Sequence, residues 1–329
     1  MTREELINSL QSIIDLDVDC KALVYFALKK DGVTTLKKAN IQEAVLTNIA
    51  DGYMQSLKAE IERFNADAER TVLNISDRDD RANVVYRYDI PDVEPSFFGK
   101  MREVTYQHPV DYFAGERMFN FDVDTLSDID YFIIELGSEE NKIVIYRNNF
   151  NVNLMKQARG RIYLNKSDTQ LTSVNDDILR MDTQIDALMI GEEFLVLNLG
   201  YLDSSKEFAT IIMSRAEASI NDIAQLNLVD SVEGLRDRLS ELSFARRLMR
   251  VMDSSPVVAM PVAHVLDFVR NHNKLNKVLK VENERISLHT KKAQDYFIKL
   301  MNDDILHSQL TKRDYESSAK NRFMANNGG

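Results

Sequence analysis

Apolar residues recur every three or four positions in the first part of the chain, with one uninterrupted apolar block between them. Thr2 and Glu5 form a T-x-x-E capping box ahead of the first such pattern, which predicts an opening amphipathic helix. Residues 22–28, ALVYFAL, are apolar throughout, as a buried strand would be. Residues 40–64 then carry an apolar residue at every fourth position, which predicts a long helix with one buried side. We therefore predict a helix–strand–helix region over residues 1–110.

The middle of the chain changes to short segments rich in β-branched and aromatic residues. These segments are 83–90, 131–136, 142–147, 160–165, 186–191 and 193–199. Turn-forming residues separate them, and two pairs are spaced as hairpins, over 131–147 and 186–199. Residues 111–204 are thus predicted to be the β-rich part of the same core, with an antiparallel or mixed sheet.

Helical spacing returns from about residue 205. The predicted helices are 209–226, 244–252 with Ser243 as its N-cap, 262–272 and 291–301. A short hairpin is predicted around Glu282-Asn283-Glu284, so that the order helix, helix, hairpin, helix resembles that of a winged-helix module. Residues 205–329 are predicted to be a helical C-terminal module.

The composition fits a folded, water-soluble protein. A chain of 329 residues with 44% hydrophobic and 28% charged residues can bury a sizeable core. Its longest apolar runs are far shorter than the roughly 20 residues that a membrane span needs, and its start lacks the features of a signal peptide. We expect an α+β protein of the cytoplasm, with flanking helices around a central sheet, that reaches a membrane only through a partner.

Charge is distributed unevenly along the chain. The first 240 residues carry 26 basic and 42 acidic side chains, whereas the remaining residues carry 15 and 10. The predicted C-terminal module is therefore basic on an acidic body whose overall formal charge is −11. Salt screens the long-range repulsion beyond about 8 Å, so local patches decide whether a polyanion can bind.

Three basic stretches are candidates for contact with nucleic acid. The first, residues 141–167, has no Asp or Glu and carries Lys142, Arg147, Lys156, Arg159, Arg161 and Lys166. The second carries Arg246, Arg247 and Arg250, and the third carries Arg270, Lys274, Lys277 and Lys280. Cationic side chains neutralise phosphates and release counterions, and the aromatic residues interleaved in the first stretch offer stacking surfaces for bases.

Two other interpretations of these stretches remain open. A charge run is commonly a solvated face, and each arginine can pair with one of the many acidic residues of the body. In addition, alternate residues of a strand point to opposite sides of a sheet, so the first stretch cannot present all its cations on one surface.

The sequence contains no familiar catalytic motif. Phosphate loops, dinucleotide-binding glycine patterns, H-E-x-x-H and G-x-S-x-G are absent, and the five histidines lack the spacing of metal ligands. We therefore predict no cofactor, no metal site and no catalytic residue, and an enzyme is the less favoured reading. One alternative is kept: Glu140-Asn141-Lys142 after Asp128 or Asp130 has the E-x-K form of metal-dependent nucleases, although it falls where a hairpin turn is expected.

Four segments carry a resemblance to a known family. They are DIDYFIIELGSEENKIVIYR, DDILRMDTQIDALMIGEEFLVLNL, SFARRLMRVMDSSPV and KLMNDDILHSQLT. In order and spacing they resemble the KwaB-like family, the cytosolic component of the Kiwa anti-phage defence system. The likeness runs from about residue 115 to about residue 322.

This resemblance implies a function that the residues alone do not give. KwaB-like proteins are expected to be soluble DNA-binding effectors that dimerise. They act with a small membrane protein, KwaA, and interfere with replication and expression of phage DNA. The implied location is the cytoplasm, peripheral to the inner membrane through that partner. A metal-dependent nuclease, and a scaffold that binds only the membrane partner, remain the alternatives.

Overall fold

A computed structural model describes residues 1–78, 81, 83–90, 93–105, 112–150, 153–155, 163–167, 170–174 and 177–318, with the side chains of 163–172 and 252–254 outside the description. The chain forms two compact units. Unit 1 comprises Met1–Val72 and Ser96–Tyr201, and unit 2 comprises Leu73–Pro95 and the chain from Leu202 onward.

The strands are β1 (Lys21–Lys30), β2 (Val33–Lys38), β3 (Val72–Asn74), β4 (Val85–Arg87), β5 (Ile129–Gly137), β6 (Lys142–Asn148), β7 (Leu154–Met155), β8 (Tyr163–Ser167), β9 (Gln170–Val174), β10 (Ile178–Leu179), β11 (Ala187–Ile190), β12 (Glu193–Val196), β13 (Lys280–Glu282), β14 (Arg285–Ser287), β15 (Ile305–His307) and β16 (Asp314–Glu316). The helices are α1 (Arg3–Ile14), α2 (Glu43–Ala66), α3 (Ser96–Thr105), α4 (Leu199–Ser204), α5 (Lys206–Gln225), α6 (Glu233–Arg236), α7 (Leu242–Ser254), α8 (Val262–Asn271), α9 (Leu275–Val278) and α10 (Lys291–Met301).

Helix α1 begins at the predicted capping box. The Thr2 hydroxyl accepts a hydrogen bond from the Glu5 backbone N–H, and the Glu5 carboxylate accepts one from the Thr2 N–H. Both bonds satisfy backbone donors that the helix itself leaves free. The apolar side of α1 is buried, and α1 packs on α2, the long helix predicted over 40–64.

Strands β1 and β2 form a hairpin that was predicted only in part. Asp31 and Gly32 have φ values of 51° and 80°, as the two central residues of a type I′ turn require. The apolar β1 was predicted from its composition, but β2 was not. The sequence of β2, VTTLKK, is largely polar, and only its leucine is buried.

The core of unit 1 is an antiparallel sheet. Six strands lie side by side in the order β2-β1-β5-β6-β11-β12, and each neighbouring pair is antiparallel. Both predicted hairpins, β5–β6 and β11–β12, are confirmed. Helix α3 contacts β6, where the Phe97 ring lies 4.3 Å from that of Tyr146. The next residue of α3, Phe98, stacks on Phe194 of β12. These aromatic contacts bury apolar surface on one face of the sheet.

Unit 2 contains the helices predicted for the C-terminal region. Helix α5 packs on α7, and α10 contacts α7 and α9. The order α7, α8, hairpin β13–β14, α10 matches the predicted order helix, helix, hairpin, helix, with the short α9 added before the hairpin. A second hairpin, β15–β16, follows α10.

The α+β class is confirmed, with a large sheet and helices around it. The three predicted regions 1–110, 111–204 and 205–329 divide the chain differently from the two units. Residues 73–95, which we predicted in the N-terminal region, belong to unit 2 together with the predicted C-terminal module.

Candidate nucleic-acid interface

Helix α7 carries the second basic stretch on the side away from its buried residues. Phe244, Ala245, Leu248 and Val251 are buried. The Arg246 side chain is 25% exposed, against 37% for Arg247, and its Nη2 lies 2.8 Å from Asp203 Oδ1. Asp203 also receives two hydrogen bonds from Arg78, at 2.6 and 2.9 Å. Burial lowers the pKa of the Arg246 guanidinium, an effect that Asp203 opposes and the nearby Arg78 increases.

The other two arginines of α7 have different partners. Arg247 Nη2 donates to Asp295 Oδ1 at 3.1 Å, a carboxylate that also pairs with Arg238. Arg250 Nη1 donates to the backbone carbonyl of Ser318 at 3.2 Å. The three arginines were predicted to hold DNA together. In the structure each is engaged separately, and two of them are neutralised by carboxylates.

The prediction for Arg147 is corrected by its burial. Arg147 lies on β6, its side chain is only 5% exposed, and it donates to Asp182 at 2.8 Å and to Asp186 at 2.9 Å. Burial opposes the charge of Arg147, but the hydrogen bonds and charges of the two aspartates raise its pKa above the ordinary value. A phosphate cannot reach a guanidinium enclosed in this way, so we remove Arg147 from the interface.

The rest of the first stretch can be followed only in part. Lys156, Arg159 and Arg161 lie outside the described residues. Lys166 lies on β8, where its backbone is paired with Leu171 of β9. Their contact with DNA stays a prediction.

The third stretch contains the cations that are most open to solvent. It runs through the end of α8, through α9 and into β13. Lys277 is exposed, and in the described part of the chain no acidic side chain pairs with it. Lys280 is also exposed, and its ammonium donates only to the Asn276 backbone carbonyl, at 3.3 Å. Arg270, by contrast, is paired with Asp267 and Glu284.

Lys274 belongs to a cluster that sequence reasoning missed. Its ammonium is bonded to Glu316 on β16, and Glu316 also accepts from Lys299 at 2.5 Å and from the Tyr296 hydroxyl at 3.1 Å. The hydrogen bonds from Lys274 and then Lys299 lower the pKa of Glu316 to about 2. Lys299 and Tyr296 are one helical turn apart on α10, a spacing visible in the sequence, but their partner on β16 is not.

A second carboxylate of β16 contacts two histidines. Asp314 Oδ1 lies 2.8 Å from His307 Nδ1, and its Oδ2 lies 3.5 Å from His272 Nε2. The contact with His307 is the main cause that lowers the pKa of Asp314. These two histidines, to which the sequence assigned no role, thus lie beside the acidic strand β16.

The nuclease-like pattern lies at the turn between β5 and β6, as expected for a hairpin. Lys142 pairs with Glu135 at 3.3 Å, and Asp128 and Asp130 pair with Lys30 and Lys29. Within the described residues, no three His, Cys, Asp or Glu side chains are placed together to bind a metal ion.

Comparisons with known proteins agree with the resemblance seen in the sequence. A family model described as "Kiwa protein KwaB-like" matches residues 126–311. A relative named Kiwa protein KwaB, from Escherichia coli O55:H7 (strain RM12579 / EPEC), is 29% identical over 329 residues, and the alignment covers 98% of this chain and 99% of the relative. No solved structure matches the chain.

None of the helices in the described ranges is long and apolar enough to cross a membrane. The family match spans more than half of the chain, and it includes the hairpin β5–β6, helix α7 and the third basic stretch. The chain therefore belongs to the KwaB-like family of the Kiwa anti-phage defence system.

Proposed function

We propose that this chain is the DNA-binding component of a Kiwa anti-phage defence system, and that it holds DNA through the phosphate backbone. The observation that supports the proposal most directly is the open state of Lys277 and Lys280. Both are exposed on the segment formed by α9 and β13, and neither is paired with a carboxylate of the described chain. Ammonium groups in this state can neutralise phosphates without first breaking an ion pair.

The charge of the whole molecule limits how such binding works. The protein carries a formal charge of −11, so it repels a polyanion at long range in low salt. At physiological ionic strength that repulsion is screened beyond about 8 Å, and the local cations decide the outcome. Binding that depends on a few ammonium groups is expected to be moderate and to weaken as salt rises.

The arginines provide no evidence for sequence-specific recognition. Reading a guanine edge takes a guanidinium with two donors available side by side. Arg246, Arg247 and Arg270 are each bonded to a carboxylate, namely Asp203, Asp295 and Glu284. The proposed contacts therefore go to phosphates and not to bases.

The proposal extends to the partners and the place of action. The chain acts with a KwaA-like membrane protein, forms a homodimer and stays in the cytoplasm, peripheral to the inner membrane through that partner. DNA held in this way is withheld from replication and expression. Membership of the KwaB-like family is the support for these statements.

One experiment separates this function from its two alternatives. Purified protein is incubated with labelled duplex DNA across a salt series, with and without Mg²⁺, and analysed by mobility shift. We expect a shift at low salt that does not need Mg²⁺, that weakens as salt rises and that leaves the DNA intact. Mg²⁺-dependent cleavage that is lost in Glu140→Ala would instead identify a nuclease, and the absence of any shift at the lowest salt would favour the scaffold.

A further inference from the structure

Glu316 occupies a site that is built to hold an anion. Three donors from two parts of unit 2 converge on its carboxylate: Lys274 before α9, and Tyr296 and Lys299 on α10. The ammonium groups of Lys274 and Lys299 each also lie 5.1 Å from the centre of the Tyr296 ring. The ring thus fixes the two cations around one point.

The carboxylate in this site has the chemistry of a nucleic-acid phosphate. A phosphodiester, like a carboxylate, carries one negative charge shared by two oxygens, and both groups accept several charge-assisted hydrogen bonds. Resting on the proposed function, we propose that Lys274, Lys299 and Tyr296 form a phosphate site for the DNA backbone. In this structure the hairpin β15–β16 covers the site with the side chain of Glu316.

The hairpin presents a second acidic residue on the same side. Asp314 and Glu316 are two positions apart on β16, so their side chains leave the strand on one face, about 7 Å apart. Asp314 faces His272 and His307, beside the lysines that hold Glu316. One face of β16 therefore places two negative charges on the basic part of unit 2.

The hairpin itself is weakly attached. Each of its strands has only three residues, and all residues of β16 are exposed. Leu310 near its tip is 93% exposed, so little apolar surface holds the hairpin in place. A two-stranded hairpin of this kind is marginally stable alone, and exposed ion pairs add little. The lysines, by contrast, stand on or beside α10, whose Phe297 and Ile298 are fully buried.

Displacement of the hairpin would join two sets of cations. Lys277 and Lys280 are already open, and Lys274 is one helical turn from Lys277. Once Glu316 leaves, Lys274 and Lys299 extend the same basic surface. The hairpin is thus an intramolecular competitor of DNA, and it reduces the affinity of a protein that should not bind DNA indiscriminately.

The test removes the charge of the competitor. Binding of a 20-base-pair duplex is measured by fluorescence anisotropy across a salt series for the wild type and for Glu316→Gln. We expect Glu316→Gln to bind roughly tenfold more tightly at low salt, with a dependence of log affinity on log salt that is steeper by about 1 to 2. The matched control is Glu62→Gln, an exposed glutamate of α2 without a charged partner in the described chain, which should stay within about twofold of the wild type.

A second pair of variants shows whether the gain passes through the proposed site. Lys274→Gln/Lys299→Gln and the triple variant with Glu316→Gln should bind DNA equally, because the lysines that Glu316 covers are gone. A parallel titration with inorganic phosphate distinguishes the ligand: if phosphate binds Glu316→Gln but DNA affinity does not rise, the site takes a free anion and the inference is overturned.

The remaining outcomes separate this inference from the proposed function. If the wild type binds DNA but Glu316→Gln binds no more tightly, or if Glu62→Gln gains as much, the hairpin is not a cover while DNA binding stands. If neither the wild type nor Glu316→Gln binds DNA at the lowest salt, the proposed function itself fails and the inference falls with it.

Discussion

Arg147 Nη1 lies 2.9 Å from Asp186 Oδ2, and the two side chains are 5% and 1% exposed. Asp186 also accepts hydrogen bonds from the Asn148 N–H at 2.9 Å and from the Asn198 amide at 2.7 Å. The pair therefore ties β6 to the start of β11 inside unit 1. Its role is structural, although in the sequence Arg147 stands in a basic stretch.

Removing Arg147 should destabilise the protein without affecting DNA. In Arg147→Ala the Asp186 carboxylate stays buried with its charge uncompensated, and breaking such a pair costs about 3–5 kcal/mol. Urea unfolding measures the loss, with Arg285→Ala, an exposed arginine, as the control that stays within about 0.5 kcal/mol of the wild type. Unchanged stability together with weaker DNA binding would return Arg147 to the interface.

Arg246 is expected to behave as a milder case of the same kind. Its loss in Arg246→Ala leaves Asp203 still bonded to Arg78, so the free energy of unfolding should fall by only about 1–2 kcal/mol. Affinity for duplex DNA should stay within about twofold of the wild type, since one partly enclosed cation is lost. A tenfold loss of affinity at unchanged stability would show that Arg246 does contact phosphate.

The turn between β5 and β6 depends on the backbone of Gly137. This residue has φ of 137°, and a Cβ added there would lie 2.2 Å from the Asn141 carbonyl oxygen. Gly137→Ala should therefore lower stability by about 1–3 kcal/mol, because both the conformation and the contact are unfavourable.

Gly99 supplies the matched control for that prediction. It lies within α3, and nothing stands within 4 Å of an added Cβ. Gly99→Ala should raise stability by about 0.5–1 kcal/mol, since alanine is the better helix former. Thermal unfolding of the two variants should thus shift in opposite directions, and a shift in the same direction would contradict the description of the turn.

The protonation of Glu316 reports directly on its two lysines. The hydrogen bonds from Lys274 and Lys299 lower the pKa of Glu316 to about 2, from an ordinary value of 4.5. Because the folded-state pKa is depressed, the stability that these bonds contribute is complete above pH 4.5 and is lost as the pH falls towards 2.

An NMR titration of the carboxyl carbon of Glu316 checks this prediction. The wild type should titrate near pH 2, and Lys274→Gln/Lys299→Gln should move the midpoint back towards 4.5. A wild-type midpoint near 4.5 would mean that the hairpin does not hold Glu316 against the lysines in solution.

Much of the fold could be predicted from the sequence, because helix caps, helix periodicity and hairpin turns depend on residues that are close together along the chain. The capping box of α1, the bounds of α10 and both sheet hairpins were predicted from spacing and turn residues. The predicted N-cap Ser243 was wrong, since α7 begins at Leu242, two residues before the predicted start, with Glu241 at its cap position. Strand β2 was missed because its sequence is too polar, although Asp31-Gly32 is a recognised hairpin turn.

The candidate site was predicted less well because its partners are distant in the sequence. Arg147 and Asp186 are 39 residues apart, and Lys274 and Glu316 are 42 apart. Nothing in a basic stretch distinguishes a cation that is buried against such a partner from one that is open to solvent. Among the described residues of the three stretches, Lys277 and Lys280 are exposed and have no carboxylate partner, and their contact with DNA stays a prediction.

The most direct test of the account reverses those two open charges. DNA affinity is measured in the same salt series for Lys277→Glu/Lys280→Glu and for Lys21→Glu/Lys58→Glu, which changes the net charge equally at two exposed lysines of unit 1. The account predicts that the affinity of the first variant falls at least about tenfold and that its slope of log affinity against log salt concentration becomes shallower by about 2. The affinity of the second variant should stay within about threefold of that of the wild type. Equal affinity of the two variants would contradict a confined basic surface as the place where this protein holds DNA.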